Sequence, residues 1–246
     1  MKLTFRIEYR TAWGESIGVM LQGQENSPIM LGTSDGIVWE GSEEMIDAPA
    51  GVPLTYRYGV FLDGQCSRRE SGTMAHIFCP SKKQKSHYIL NDTWKDLPMA
   101  SHLYSAAFSG NYSLENTPKD QCTGQGDIVF RALCPCLHHR KQILGICGRE
   151  EQLGYWNPDR AICMEEIQAN EWIATLPIKD LKFPLEFKFV AINTSTGKVE
   201  EWEMGNNRHL HINDLRKGEI FFTNEMEVQF ASMSRKVAGT AIPVFS

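Results

Sequence analysis

Short runs in which apolar and polar residues alternate recur along the whole chain and predict β-strands. Clear examples are residues 3–9 (Leu-Thr-Phe-Arg-Ile-Glu-Tyr), 128–133 and 185–190, each with a period of two. Clusters of Gly, Pro, Asn and Asp separate these runs, as at residues 35–36 and 157–158. We find no stripe of apolar residues at helical spacing longer than about three turns. The pattern therefore predicts an all-β fold.

The strand pattern also repeats, because four segments of the first half recur in the same order in the second half at offsets of 125 to 133 residues. The matched pairs are 3–6 with 128–131, 17–19 with 144–146, 38–39 with 171–172, and 54–58 with 185–189. Each pair alone is weak evidence, but four in one order indicate a duplicated β-sandwich of about 90–100 residues per copy. The stretch from 109 to 126 is polar with few large apolar residues, which is typical of a connector.

We therefore expect two tandem antiparallel β-sandwich modules, immunoglobulin-like in architecture and joined by a long connector. The expected divisions are a first module at 1–90, a connector at 91–124, a second module at 125–216 and a linker at 217–246.

Length, charge and cysteine content narrow the classes of function. The 246 residues are enough for two domains. Twenty-five Lys and Arg residues against thirty Asp and Glu residues give a net charge of −5, which disfavours a nucleic-acid partner. No apolar run approaches the length of a membrane span or of a signal peptide, so we expect no membrane partner. Seven cysteines, an odd number, are typical of free thiols, and we expect a cytoplasmic protein.

The second copy carries residues that resemble a known family. Its segments 152–158 (Gln-Leu-Gly-Tyr-Trp-Asn-Pro), 171–174, 187–190, 199–203 and 206–208 resemble, in order, the starch-binding domain of carbohydrate-binding module family 20. The first copy resembles this family only in outline. Two such modules followed by an apolar tail resemble the front of 4-α-glucanotransferases of glycoside hydrolase family 77, of the plant cytosolic disproportionating type.

The resemblance implies that this chain is a non-catalytic binder of α-glucan, namely starch, glycogen or maltooligosaccharide. Its second implied partner is a C-terminal catalytic domain, since the sequence stops where the barrel of that family would begin. An oligomer is compatible with the resemblance, and no cofactor is implied.

Aromatic and amide side chains suit such a ligand, because glucose offers an apolar face to a flat ring and a rim of hydroxyls to polar groups. Trp156 lies in a predicted turn and Trp202 lies among glutamates, although either could be an ordinary core tryptophan. By resemblance, Trp156 and Trp202 form the paired platform of the first site of the family. Lys188 then matches its hydroxyl-binding lysine and Asn207 its asparagine; the alternatives are a surface lysine and a turn residue.

A second site is less complete in the sequence. By resemblance, Trp172 matches the tryptophan of the second site, but Gly145 stands where a tyrosine is expected. In the first copy, Trp39 matches Trp172 and Gly18 again replaces the tyrosine. Trp172 and Trp39 are therefore possible second-site residues or core residues.

The first copy departs from the first-site pattern as well. No tryptophan follows Leu31-Gly32, and Arg57 stands in place of the lysine. We expect the first module to keep the fold with a degenerate site, binding weakly through Trp13 or Trp39 or serving as a spacer that docks on its neighbour.

Catalytic and metal chemistry find little support. Glu165-Glu166 and Glu200-Glu201 are neighbours on predicted strands and point to opposite faces, whereas a glycosidic acid–base pair must face one substrate. The cysteines and histidines between residues 134 and 139 lack a second ligand pair at zinc spacing. We predict no catalytic residue and no metal. Two other functions stay open: a scaffold or dimerisation module, and a regulatory binder of phosphorylated glucan.

Overall fold

A computed structural model provides the structure of the chain. It describes residues 1–44, 52–70, 75–78, 80, 87–95, 127–134, 137, 141–168, 170–179, 181–212, 215 and 218–232. Within these ranges no helix is long and apolar enough to cross a membrane.

The described residues form eighteen β-strands and two short 3₁₀ turns, Glu151–Leu153 and Pro158–Arg160. In chain order the strands are β1 (Lys2–Glu8), β2 (Glu15–Leu21), β3 (Ile29–Met30), β4 (Gly32–Thr33), β5 (Val38–Glu44), β6 (Leu54–Leu62), β7 (Gln65–Arg69), β8 (His76–Phe78), β9 (His87–Asp92), β10 (Asp127–Leu133), β11 (Gln142–Gly148), β12 (Ile162–Cys163), β13 (Glu165–Gln168), β14 (Glu171–Pro177), β15 (Leu185–Asn193), β16 (Val199–Trp202), β17 (Arg208–Leu210) and β18 (Glu219–Glu227).

The duplication predicted from the sequence is present in the strand pairing. In the first module one sheet has the order β3-β2-β6-β7, with β8 paired to β6. In the second module the corresponding sheet has the order β12-β11-β15-β16, with β17 paired to β15. The remaining strands of each module form the opposing sheet, and all these pairings except β1 with β9 and β10 with β18 are antiparallel. The predicted all-β sandwich fold is confirmed.

The two modules are joined by more than a connector, because they share one sheet. Its order is β13-β14-β10-β18-β9-β1-β5-β4. At its centre β18 pairs in parallel with β9, with Ile220 opposite Tyr88. The first module therefore docks on its neighbour by main-chain hydrogen bonding. Residues 96–124 of the expected connector lie outside the described residues.

The expected linker at 217–246 requires a correction at its start. Residues 219–227 form β18, which pairs with β10 and is the central strand that joins the modules. Ile220 and Phe221 are buried, so this segment contributes to the cores rather than leading away from them. Residues 233–246 lie outside the described residues.

The two hydrophobic cores lie on opposite faces of the shared sheet. Strand residues alternate between faces, so neighbours in sequence serve different cores. Ile220 packs in the core of the first module, together with Phe5 and Leu90. Phe221, the next residue, packs in the core of the second module with Phe130.

A buried network of charged groups fills one side of the junction between the modules. Arg131 of β10 donates from Nη2 to Asp92 Oδ1 at 2.7 Å and from Nη1 to Glu225 Oε1 at 3.2 Å. The two ring nitrogens of His76 lie 3.2 Å from Glu225 Oε1 and 3.0 Å from Glu70 Oε1. These groups come from both modules, and opposite charges offset the cost of burying each of them.

Candidate functional site

The candidate site lies on the outer face of the five-stranded sheet of the second module. Phe187 and Phe189 of β15 point into the core, so Lys188 and Val190 between and beyond them point outward. Val190 forms a small outer cluster with Cys147 and Ile192, and Trp202 packs against this cluster. Trp202 therefore has one side supported by the sheet while remaining partly exposed.

Trp156 reaches the same face from the loop between β11 and β12. Residues Gly154, Tyr155 and Trp156 all have left-handed backbones, with φ of 84°, 52° and 59°. Such a φ is unfavourable for a large side chain and persists only where the surroundings enforce it. Here the Trp156 amide donates to the carbonyl oxygen of Gly148 at 2.7 Å.

The two tryptophan rings form a bent platform. Their centroids are 6.3 Å apart and their planes are inclined by 43°. Both rings are only partly buried. This geometry offers two adjacent flat surfaces at an angle, which suits the successive apolar faces of a curved sugar chain.

Gly148 allows the Trp156 loop to approach the sheet. A Cβ atom at this position would lie 2.4 Å from the backbone oxygen of Glu186 and 2.9 Å from Leu153 Cδ1. A larger residue would therefore separate β11 from β15 at the point where the loop is anchored.

Lys188 is held at the edge of the platform by backbone carbonyls. Its Nζ donates to the carbonyl oxygens of Gly205 at 2.7 Å and Glu203 at 3.1 Å. An ammonium group has three donors, so one N–H can still serve a ligand hydroxyl.

Asn207 is positioned by a carboxylate on β15. Its Nδ2 donates to Glu186 Oε1 at 2.7 Å, and Arg149 forms an ion pair with the same carboxylate. The Asn207 amide, with the Arg149 charge, lowers the pKa of Glu186 below its usual value. The Asn207 carbonyl oxygen and its second amide proton remain suited to hydroxyl groups.

The structure thus brings the four predicted first-site residues to one surface. Trp156 and Trp202 are in ring contact, and Lys188 and the Glu186 that anchors Asn207 share the outward face of β15. We call this surface the platform site.

The prediction of a possible second site at Trp39 and Trp172 is wrong, because both side chains are buried. Trp39 and Trp172 are 5% and 2% exposed and belong to the two cores, so neither offers a ring face to a ligand. The missing tyrosine has a steric reason, because a Cβ on Gly145 would lie 2.4 Å from Ile192 Cδ1.

The first module lacks the platform because its loop is shorter. Its β2–β3 connection, residues 22–28, corresponds to the β11–β12 connection at 149–161 that carries Trp156. Leu31-Gly32 therefore does not correspond to Leu153-Gly154, because Leu31 follows β3 and its amide donates to the Ile17 carbonyl oxygen. Met164 makes the corresponding bond to Leu144 in the second module.

Glu203 and Arg208 were missed in the sequence, although they shape the site. Glu203 is buried, accepts from the Phe189 amide at 2.8 Å and is paired with Arg208. These contacts fix the segment between Trp202 and Asn207, and the carbonyl oxygens of this segment accept from Lys188. The repeat could have revealed Glu203, because Glu70 stands at the corresponding position of the first module. Glu70 likewise accepts from the Tyr58 amide at 2.8 Å.

Comparisons with known proteins agree with this description. Residues 127–221 match the family described as the starch binding domain. The predicted resemblance is confirmed for the second module.

The whole chain is similar to the 4-alpha-glucanotransferase DPE2 of Oryza sativa subsp. japonica. The two are 25% identical over 267 aligned positions, which cover 99% of this chain and 27% of the rice protein. The chain therefore spans about a quarter of the length of this relative.

Two solved structures are also similar. The family 20 carbohydrate-binding module of a maltotetraose-forming amylase from Pseudomonas saccharophila STB07 is 19% identical, with a TM-score of 0.30 over 39% of this chain and 99% of that one. A family 15 glucoamylase from Hypocrea jecorina is 17% identical, with a TM-score of 0.36 over 46% of this chain and 19% of that one.

Proposed function

We propose that the second module binds α-glucan chains at the platform site, and that the chain is a non-catalytic glucan-binding region of a 4-α-glucanotransferase. The observation that carries this proposal is the bent pair of partly exposed rings, Trp156 and Trp202, 6.3 Å apart at 43°. The match of this module to the starch binding domain supports the choice of ligand.

The chemistry of the rim supports a neutral, hydroxylated ligand. Lys188 and Asn207 are held by other groups of the protein yet keep hydrogen-bonding capacity. A fixed donor loses little conformational entropy when it binds. The rings then supply apolar contact and the rim supplies orientation, so a curved α-1,4-linked chain fits better than a flat one.

The partner implied by the rice relative is a catalytic domain of the same longer protein, for which the modules would hold substrate nearby and raise its local concentration. A cytoplasmic location and the oligomeric state stay predictions. If the modules served only as a scaffold, the platform site would not bind glucan.

Affinity electrophoresis through amylopectin tests the proposal, using the 246-residue chain and Trp202→Ala. Loss of one stacking surface is expected to weaken binding by about 1–2 kcal/mol, or roughly five- to thirtyfold. Trp13→Ala is the matched control, because Trp13 is fully exposed on the first module. Equal retardation of Trp202→Ala and the unaltered chain would reject the platform, and no retardation of any form would favour the scaffold.

A further inference from the structure

A second surface with ligand-binding character lies where the two modules meet. The outward residues of β1, β5 and β9 form the floor of a groove, and residues 210–212 and 215 of the second module form its wall. The groove exists because β9 and β18 join the sheets. Its volume is about 690 Å³, within the usual range for small-molecule sites. We call it the junction groove.

The two sides of the junction are related by the duplication, but they differ in the side chains that occupy them. Arg131 of β10 corresponds to Arg6 of β1, at the same offset of 125 residues as the other β1–β10 positions. Arg131 is buried and bound by Asp92 and Glu225. Arg6 faces the junction groove, is 45% exposed in its side chain and lies 4.0 Å from Glu40. One side of the junction is thus filled by protein groups, while the described residues leave the other open.

A row of hydrogen-bonding groups crosses the groove floor. Thr4 Oγ1 lies 2.8 Å from Ser42 Oγ and 2.7 Å from His87 Nε2, and His87 Nδ1 lies 3.0 Å from Glu219 Oε1. Because the carboxylate can only accept, His87 donates from Nδ1, and in the neutral imidazole Nε2 then accepts from the Thr4 hydroxyl. Four strands from both modules therefore present an ordered polar row.

The charges of the groove favour a neutral ligand. Lys2 and Arg6 are offset by Glu8, Glu40 and Glu219, so an anion would meet carboxylates as well as cations. A sugar hydroxyl both donates and accepts, which suits this mixture. The partly exposed apolar side chains of the wall, Leu210, Ile212 and Leu215, can receive the apolar faces of the sugar.

We propose that the junction groove binds a segment of linear α-glucan, as a second contact separate from the platform site. This inference rests on the proposed function, since it takes the ligand class from there. Both contacts on one rigid pair of modules would raise the affinity for long chains above that of either alone.

The test is an NMR titration of the 246-residue chain carrying Trp202→Ala with maltoheptaose. The signals read are the side-chain amide of Asn91 and the imidazole of His87, both in the groove lining. Saturable shifts at both are expected, and adding His87→Ala should weaken this binding by about tenfold or more. Lys198→Ala, at an exposed turn of the second module, is the control and should leave it unchanged.

Each other outcome overturns the inference in a distinguishable way. If the unaltered chain binds maltoheptaose at the platform while the groove signals stay still, the groove proposal fails and the proposed function stands. If neither surface responds, both fail. Shifts with inorganic phosphate but not maltoheptaose would make the groove an anion site. Contacts from another segment of the chain to His87 would show that the protein itself fills the groove.

Discussion

Arg131 of the second module donates a hydrogen bond of 2.7 Å to Asp92 of the first, and the Asp92 side chain is fully buried. The same carboxylate accepts from the hydroxyl groups of Tyr56 and Tyr58, each at 2.7 Å. This one ion pair therefore links β10, β9 and β6. With the shared sheet, this ion pair packs the two modules against each other as one unit.

Arg131→Met is expected to lower the free energy of unfolding by about 3–5 kcal/mol, because it leaves buried carboxylates without their cation. Arg6→Met is the matched control at the corresponding exposed position, with an expected change within about 0.5 kcal/mol. Urea unfolding followed by fluorescence measures both. Equal effects of the two substitutions would show that the buried pair does not stabilise the junction.

The stability of the junction is also expected to depend on pH through His76. Burial alone would lower the pKa of His76, but the carboxylates of Asp92, Glu225 and Glu70 raise it to about 9. Protonated His76 therefore stabilises the fold fully below about pH 6.5, and this contribution is lost as the pH rises to about 9, by roughly 3 kcal/mol in total.

Unfolding free energies between pH 6 and pH 9.5 measure this slope. His76→Gln should flatten it, since the titrating group is gone. His209→Gln should keep it, because His209 is exposed on β17. A slope unchanged by His76→Gln would assign the pH dependence to another group.

Much of this fold was predictable, because alternating apolar and polar residues indicate strands and the repeated segments indicate a duplication. β1, β2, β5 and β6 correspond to β10, β11, β14 and β15 at the predicted offsets. What alternation does not report is which strands become neighbours. The pairing of the strand at 219–227 with β9 is therefore absent from the sequence-based expectation, and so is the burial of Arg131 at the junction.

The sequence predicted the residues of the platform site but not the residues that position them. Trp156, Lys188, Trp202 and Asn207 followed from the family resemblance. Their spacing and tilt depend on Gly148, Glu186 and Glu203, whose roles arise from contacts between distant parts of the chain. Residue type alone also could not separate the partly exposed Trp202 from the buried Trp172.

The left-handed backbone at Trp156 predicts that binding and stability oppose each other there. Glycine adopts φ of 59° without the penalty that alanine pays. Trp156→Gly should therefore be more stable than Trp156→Ala by about 1 kcal/mol, the reverse of the usual order of these residues. Thermal unfolding of the two variants decides this, and neither should bind glucan well. Alanine as the more stable variant would contradict the strain at this loop.

Gly148→Ala is expected to damage the platform through its support. The added methyl would press on the Glu186 backbone and move the Trp156 loop, at a cost of about 1–3 kcal/mol in stability. Gly32→Ala is the control, because its nearest neighbour would be an ordinary 3.8 Å away. Unfolding and β-cyclodextrin titrations of both variants measure the effect. If Gly148→Ala keeps full affinity, the close approach at this glycine does not position Trp156.

The most direct test of the central claim is a β-cyclodextrin titration of the ¹⁵N-labelled chain, observing the indole N–H signals of its six tryptophans. The account predicts saturable shifts at Trp156 and Trp202. The signals of Trp39 and Trp172, which are buried in the cores, and of Trp13, which is exposed on the first module, should stay in place. Shifts at Trp13 with none at Trp156 and Trp202, or no shifts at any tryptophan, would contradict it.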